Sequence, residues 1–586
     1  MTKAEIKNVE ITDNLMQVSL IVTTNYNPLV RSPKVTLIFK MGEFSRFIPI
    51  AVQSYYQNMD FKTCTIVAEY VYDLENIFFD GIKDEEVKVE VDILYGEEHF
   101  RDIPLIFSGS VTAIDSVFSV ESREKEFVIK RTEKYVEPKK NIFILALELF
   151  FSEIYRFFVK ILGYSFIPFL LIDSLVAFLD LKSGWVSKND RTTFRFFVDN
   201  VRVGYKSITN EEIGRKNLKE RWAILLSACY SSSKVVANRI TFLSNRREDL
   251  TGNFENIYAA IKDDETLDIR MLLDSNPMHR MSFINLAKFA KLYATSRVVV
   301  IDDFYELTSI VKKKSDVKLV QVWHACGAFK TFGFSRLGKP GGPKQTNINH
   351  RMYDRAIVSS SEIRRFYAEG FGIPIENVIA TGIPRTDMFF DEEIKKQKRE
   401  EFFSNYPDFV GKKIIMFAPT FRGNGRLTGY YPMHKFNVAD VLEQLGEDYA
   451  IIVKHHPFVN NRQEINLDRV IDLSVDSELN DLLFVTDILI TDYSSSVFEA
   501  ALLDIPMILY AFDLSEYVAT RDFYYEYETM VPGKIVTTEQ ELIEAIKASD
   551  FEVEKIENFK HKFFDELDGK SATRVVEMIK DLMNDV

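Results

Sequence analysis

The sequence predicts an α/β protein built on two doubly wound parallel sheets, preceded by an all-β module and a strongly apolar helical segment. Three observations point there. Residues 1 to about 120 form a series of short β-branched runs; from about residue 220, apolar runs alternate with amphipathic helical stretches; and the region between is crowded with Phe, Ile and Leu. The length of 586 residues allows about four units at roughly 150 residues each. Seventy-three basic against 87 acidic residues give a net charge of −14, which argues against a surface built for nucleic acid. A hydrophobic content of 46% with 27% charged residues excludes wholesale disorder. Cys64, Cys229 and Cys326 form no CxxC pair, so neither a disulfide scaffold nor a cysteine-rich zinc module is expected, and a reducing compartment is.

The first residues, MTKAEIKNVEITDNLMQVSL, lack a basic start followed by an unbroken apolar core, so no secretory leader is expected. MQVSLIVTT, KVTLIFKM, SRFIPIAVQ, KTCTIVAEYV, VKVEVDILY and DIPLIFSG follow as strands, and their spacing predicts a small β-sandwich over residues 1–125. No cluster of His, Cys and carboxylate marks it as chemical. It reads as a module for binding, spacing or partner contact.

Residues 126–215 read as a linker with amphipathic helices. Between Asn141 and Leu181 the apolar run is broken by Glu148, Glu153, Arg156, Lys160, Asp173 and Asp180, and Ile161–Ile172 is too short to span a bilayer. On a helix, Glu148, Glu153, Arg156 and Lys160 fall within an arc of roughly 140°. That pattern fits a helix lying in a membrane interface, with a helical hairpin buried between domains or at a dimer contact as the alternative. Flanking basic excess, seven basic against five acidic over residues 121–140, favours an anionic lipid surface.

Candidate strands of the parallel sheets are WAILLSAC, VVANRITFL, SRVVVID, VKLVQVW, RAIVSS, NVIATG, KIIMFAP, YAIIVKH, VTDILIT and PMILYAF. The stretch is too long for one sheet, and the division is placed near residue 350, giving domains over 216–350 and 351–586. Ligands of such sheets bind beyond the carboxyl ends of the strands, so the residues after each strand matter most.

After VKLVQVW comes His324, followed by a small Gly-containing turn. An imidazole, with an ordinary pKa of about 6.5, suits the acceptance of a proton from an attacking hydroxyl; a histidine bonded within the sheet edge is the alternative. Lys330, Arg336 and Lys339 follow in a loop that fits an anionic acceptor or a solvated face. After KIIMFAP stand Thr420 and Arg422 in a Gly-containing turn able to clamp a phosphate. After YAIIVKH stand Lys454, His455 and His456. No carboxylate follows them at ligand spacing, so phosphate binding is a better use than metal. The segment TDYSSSVFEAALLDIPMILY places Ser494, Ser495 and Ser496 at a helix start, an anion site or a plain N-cap, with Glu499 one turn in and suited to ribose hydroxyls. No GxxxxGK[ST], GxSxG or HExxH is present, which argues against P-loop NTPases, α/β-hydrolases and zincins.

WHACGAFKTFGFSR, TGIPRTD, APTFR, KHHP and TDYSSSVFEAALLDIPMILY, in this order over roughly residues 220–580, resemble the CDP-glycerol glycerophosphotransferase family of teichoic acid polymerases. The text after Trp323 is more similar to the poly(ribitol phosphate) branch than to the WHGTPLK of the poly(glycerol phosphate) branch. The resemblance implies a GT-B fold, two Rossmann-like domains facing a cleft, the acceptor side first and the donor side second. It implies a transferase of Gram-positive bacteria that moves ribitol phosphate from CDP-ribitol to the terminal hydroxyl of a lipid-linked acceptor and releases CMP. A CDP-glycerol primase, polymerase or capsule polymerase is the alternative within the family, and a non-catalytic scaffold the alternative outside it.

By motif, His324 aligns with the candidate base, and His456 with the histidine of a second motif. Arg422, Lys454, Thr420, Ser494, Ser495 and Ser496 align with donor-pyrophosphate binding, and Glu499 with a ribose contact. Lys330, Arg336, Arg521 and Asp522 fall on the acceptor or cleft side, as does Glu528; Arg385 and Asp387 match a motif of structural character. No carboxylate cluster stands beside the donor motifs, so neither a metal nor a cofactor beyond the CDP-alditol is expected. The expected partners are the lipid-linked acceptor, the cytoplasmic face of the plasma membrane, bound peripherally, and a second copy of the chain. Nucleic acid is not among them.

Overall fold

The computed structural model describes residues 2–132 with short gaps, the longest at 75–85, and residues 211–585 apart from 340, 424–427, 463–464 and 476. Between these blocks it describes only Ala146, Leu147, Phe150 and Ile154. The amphipathic segment expected within 126–215 lies almost wholly outside the described residues. Among those described, no helix is long and apolar enough to cross a membrane. The chain divides into two compact units, residues 1–134, 250–263 and 320–581 in one, and 135–249, 264–319 and 582–586 in the other.

The first unit opens with ten strands: β1 (Lys3–Thr12), β2 (Leu15–Asn25), β3 (Lys34–Met41), β4 (Phe44–Ile50), β5 (Val52–Gln57), β6 (Thr63–Asp73), β7 (Glu86–Tyr95), β8 (Glu98–Ile114), β9 (Phe118–Arg123) and β10 (Glu126–Arg131). Strict alternation drives them: along β2, Met16, Val18, Leu20 and Val22 turn inward while their neighbours stay at least partly exposed. The hydrogen bonding is continuous in the order β4-β3-β7-β8-β1-β2-β6-β5, with β10 on β7 and β9 on β10. The long β8 makes the link, pairing antiparallel with β7 and then parallel with β1. Both halves feed one apolar core, which also takes in Phe334 and Leu337 from far along the chain.

The module is therefore docked on its own chain. Buried Thr36 donates to Glu369 (2.9 Å), and Arg365 pairs with Asp92 at 2.6 Å, both side chains buried. The sequence holds no local sign of either contact.

In the second unit, β11 (Val236–Ser244), β12 (Asp268–Leu273) and β13 (Ser296–Ile301) lie parallel in the order β12-β11-β13. The helix Phe283–Thr295 buries Leu286, Phe289, Ala290 and Tyr293 and is capped by Ser282, whose hydroxyl accepts from the Asn285 N–H.

In the first unit, β15 (Arg355–Val358) pairs in parallel with the end of β14 (Lys318–Gln321) and with β16 (Val378–Ala380). The division expected near residue 350 falls instead between β16 and the strands from residue 413 on, because β15 pairs with β14 and β16. The last sheet begins at β17 (Lys413–Phe417) and continues with β18 (Tyr449–Val453), β19 (Val470–Asp472), β20 (Ile488–Thr491), β21 (Met507–Tyr510) and β22 (Lys534–Val536). All its pairs are parallel, in the order β19-β18-β17-β20-β21-β22. The winding reverses between β17 and β20, which opens the ligand crevice of a doubly wound sheet outside their carboxyl ends.

Candidate active site

The loops after β17 and β20 meet at that reversal through Asp492, which is fully buried. Its Oδ1 accepts from the Thr420 N–H and hydroxyl, both at 2.8 Å, and from the Tyr493 N–H at 2.6 Å. Arg422 closes the frame. Its Nε and Nη2 donate to Asp513 (2.7 and 2.9 Å) and Nη1 to the carbonyl and hydroxyl of Thr420 (2.8 and 3.0 Å), while Nη2 also stands 3.0 Å from Asp492 Oδ2 as an ion pair. A guanidinium has five N–H donors, and four are spent in hydrogen bonds within the fold. Burial alone would lower the Arg422 pKa, but Asp492 and Asp513 outweigh it and raise it. The phosphate clamp expected from the sequence is thus a cross-brace in this structure. Asp492 and Asp513 were not among the expected site residues, although each follows a strand end.

Lys330 joins the same network. Tyr493 donates to Asp513 (2.9 Å) and stacks on Tyr517 at 3.8 Å, and the Tyr517 hydroxyl accepts from Lys330 Nζ (2.7 Å). Burial pulls the Lys330 amine down to about 8, with Asp492 opposing and Arg521 and Arg422 adding to the shift. Two carboxylates, Asp492 buried and Asp513 half-buried, are so matched by two half-buried cations.

The three serines behave differently from one another. Ser494 Oγ accepts from the Ser496 N–H (3.2 Å) and pairs with the Ser496 hydroxyl (2.9 Å), which ties down the entry to the helix Ser496–Leu502. Ser496 is buried and Ser494 and Ser495 are half-buried; Ser495, at the cap position, makes no side-chain cap bond. Glu499 is buried and forms an ion pair with Arg385, where a ribose contact was expected. The Cys326 thiol lies beside this pair, and burial, reinforced by Glu499, pushes its pKa well up, so it is a packed thiol rather than a nucleophile. Asp387 accepts the N–H groups of Ser571 (3.0 Å) and Ala572 (2.8 Å) and so caps the C-terminal helix Ser571–Asn584.

At the β14 end, Trp323 has φ of 51°, a left-handed backbone that costs a bulky residue of order 1–2 kcal/mol. The His324 ring packs on the Trp323 ring at 4.4 Å, and Trp323 stacks in turn on Phe332 at 5.5 Å. Gly327, at φ 63°, follows; a Cβ there would meet the buried Phe498 ring at 2.1 Å.

At the β18 end, Lys454 Nζ donates to the carbonyls of Leu473 (2.8 Å), Ser474 (3.2 Å) and Ser477 (2.5 Å). An ammonium has three donors, so Lys454 holds a loop where a phosphate contact was expected. His455 is buried against Phe417 and Tyr431, and burial lowers its pKa to about 4. His456 accepts the Phe458 N–H at Nδ1 (3.1 Å), so its neutral ring carries the proton on Nε2; Phe421 packs on it at 4.7 Å.

Asp522 pairs with Lys34 of the β-module (3.2 Å) and with Lys339. Burial would raise its pKa, but the two lysines lower it. Arg521 donates to the Gly423 carbonyl (3.3 Å), Glu528 is exposed, and Arg336 ends the short helix Gly333–Arg336. A cavity of about 300 Å³ beside them is lined by Lys34, Leu94, Asp522, Tyr524 and Tyr527 among others. Among the described residues no group of three or more His, Cys, Asp and Glu side chains stands ready to hold a metal ion.

Comparison with known proteins accords with this layout. Residues 225–581 match the family model of CDP-glycerol:poly(glycerophosphate) glycerophosphotransferase. The teichoic acid poly(ribitol-phosphate) polymerase of Bacillus spizizenii is 47% identical over 349 residues, 59% of this chain and 56% of that protein. The teichoic acid ribitol-phosphate polymerase TarK of Staphylococcus aureus is 42% identical over 374 residues, 62% of this chain and 73% of that protein. The match thus spans little more than half the length of the first. The solved structure of the wall teichoic acid polymerase TagF aligns with a TM-score of 0.53 at 21% identity, over 66% of this chain and 98% of that one, a likeness of fold. The chain belongs to the CDP-glycerol:poly(glycerophosphate) glycerophosphotransferase family.

Proposed function

We propose that the protein extends a teichoic acid by transferring ribitol phosphate from CDP-ribitol to the terminal hydroxyl of a lipid-linked polyol-phosphate acceptor, with release of CMP. The observation that supports this most is a histidine at the end of β14 in a chain that also carries a serine turn and His456 at the ends of β20 and β18. Similarity to relatives named for ribitol phosphate supports that alditol over glycerol.

The acceptor oxygen attacks the ribitol-bound phosphorus of the donor. One P–O bond forms to the acceptor as the P–O bond to CMP breaks, and His324 takes the acceptor's proton. Negative charge grows on the phosphoryl oxygens and on departing CMP. Donors aimed where charge develops do most of the work in such transfers. His456, with Nδ1 already filled, presents Nε2–H and is assigned to that charge, as are Ser494, Ser495 and Ser496. Arg422, Asp492 and Asp513 hold the serine turn and the Thr420 loop in register. Lys454 serves as a strut, and Arg385–Glu499 as a buried tie. Lys330, Arg336, Arg521 and Asp522 are assigned to the acceptor side.

A GT-B arrangement, a folded-over β-sandwich for the N-terminal module and peripheral attachment through the 141–181 segment complete the reading. The chemistry needs no cofactor besides the donor.

The test is CMP release by the purified protein with CDP-ribitol or CDP-glycerol and a lipid-linked glycerol-phosphate primer. Primer-dependent release with CDP-ribitol is expected. Release only with CDP-glycerol would overturn the alditol, and release with neither would overturn the reading.

A further inference from the structure

We propose that Asn253, together with Gln321, is a positioning residue for His324: the two side-chain amides hold Trp323 in its left-handed conformation and thereby fix where the next ring stands. The inference rests on the reading of His324 as the base.

Strand β14 ends at Gln321, and the left-handed turn takes Trp323 out of any sheet ladder. Its backbone groups need partners from elsewhere. Side chains supply them. Gln321 Oε1 accepts the Trp323 N–H at 2.8 Å, while Gln321 Nε2 donates to the Tyr353 hydroxyl at 3.0 Å. Asn253, buried at the start of the helix Asn253–Ile261, donates from Nδ2 to the carbonyls of both Val322 and Trp323, each at 2.8 Å.

The remaining Asn253 atom is also engaged. Oδ1 accepts the Arg385 N–H at 3.0 Å, so one side chain joins the helix, the His324 turn and the segment that carries the Arg385–Glu499 pair. Two carbonyls and one N–H surround the amide, which fixes its orientation without ambiguity. The site demands two donors and one acceptor on a short side chain. Asparagine meets that demand and aspartate does not, because both donors would be lost and a carboxylate would face two carbonyl oxygens.

The same helix offers a matched control. Asn256 donates to the Pro384 carbonyl at 2.5 Å, so it ties the helix to the same neighbouring segment without touching residues 322–324. The full chain is compared as wild type, Asn253→Asp, Asn253→Ala, Gln321→Glu and Asn256→Ala. Two readouts are taken: kcat and KM for CDP-ribitol in primer-dependent CMP release, and the rate of His324 carbethoxylation by diethyl pyrocarbonate, read by peptide mass spectrometry.

Displacing a reacting group by about 1 Å costs roughly 10²-fold, so both Asn253 variants should lose about 30-fold or more in kcat, with KM within about 3-fold. Gln321→Glu should lose less, and Asn256→Ala should stay within about 3-fold in both constants. His324 carbethoxylation should quicken by about 3-fold or more in Asn253→Asp and not in Asn256→Ala, a change that general loosening of the helix would not reproduce selectively. Unchanged kcat and reactivity in the Asn253 variants would overturn the inference, as would equal losses in Asn256→Ala. Altered reactivity with unaltered kcat would overturn it too, since the ring would then be held for no catalytic purpose. A wild type that releases no CMP would overturn the proposed function, and the carbethoxylation rates would then decide whether Asn253 positions His324.

Discussion

Two strand ends in this protein carry histidines, and they are built in opposite ways. At the end of β14, Trp323 and Gly327 both take positive φ, and the Trp323 ring, itself stacked on Phe332, packs on the His324 ring. At the end of β18 the backbone of residues 454–456 is unstrained, and Lys454 and His455 are consumed by the fold, leaving His456 as the remaining candidate for chemistry. A histidine after a strand is thus a position. Whether it serves structure or reaction depends on which of its neighbours' donors are already taken.

The sharpest way to break this comparison is to remove each histidine. His324→Ala should lower CMP release by about 10²–10⁴-fold, the span of general acid–base catalysis, and His456→Ala by about 10²-fold, the loss of one charge-stabilising donor. A larger loss for His456→Ala would exchange the two roles. Next comes the glycine at the β14 end. Gly327→Ala adds a Cβ against the fully buried Phe498 ring and a left-handed penalty, together roughly 2–4 kcal/mol in urea unfolding. Gly446→Ala, ahead of β18 at φ 88° and ψ −168° with open space around it, carries a backbone penalty alone and should cost about 1–2 kcal/mol. Equal costs would show that the β14 turn is not tightly packed.

The β18 end has its own pH signature. The folded state holds the His455 imidazole neutral, with a pKa lowered from 6.5 to about 4 by burial. Its contribution is present above pH 6.5 and is lost as pH falls from 6.5 towards 4, on the order of 3 kcal/mol in all. His455→Phe should flatten the fall of Tm across that window, and an unchanged slope would move the acid sensitivity elsewhere. Lys454→Met strands three carbonyls and should cost about 1–3 kcal/mol of stability. Its KM for CDP-ribitol should stay within about 3-fold. A tenfold rise would return Lys454 to the donor phosphates.

Much of the fold was legible because it is periodic. Most of the expected runs became strands, although WAILLSAC lies in the helix Glu211–Cys229; the carboxyl ends of β14, β17, β18 and β20 carry the residues expected there, and the motif order placed the chain in its family. The division between sheets was misplaced because RAIVSS and NVIATG read equally well as the last strands of one sheet or the first of the next; only the pairing of β15 with β14 and β16 decides. Asn253 could have been suspected by no rule of spacing. It lies 70 residues before the carbonyl of Trp323 that it holds and 132 before Arg385.

The sequence by itself determined which residue types stand beyond which strands, since alternation and helical period are properties of neighbouring residues. Only the tertiary structure decided what those residues do. Four donors of Arg422 end on Asp513 and Thr420, beside the Asp492 carboxylate; the three of Lys454 end on one loop; and Lys34 of the β-module reaches Asp522 across 488 positions of chain. A side chain's hydrogen-bonding capacity is finite and is filled by whatever the folded chain brings within about 3 Å, so availability for a substrate is a property of the packed molecule and not of the motif.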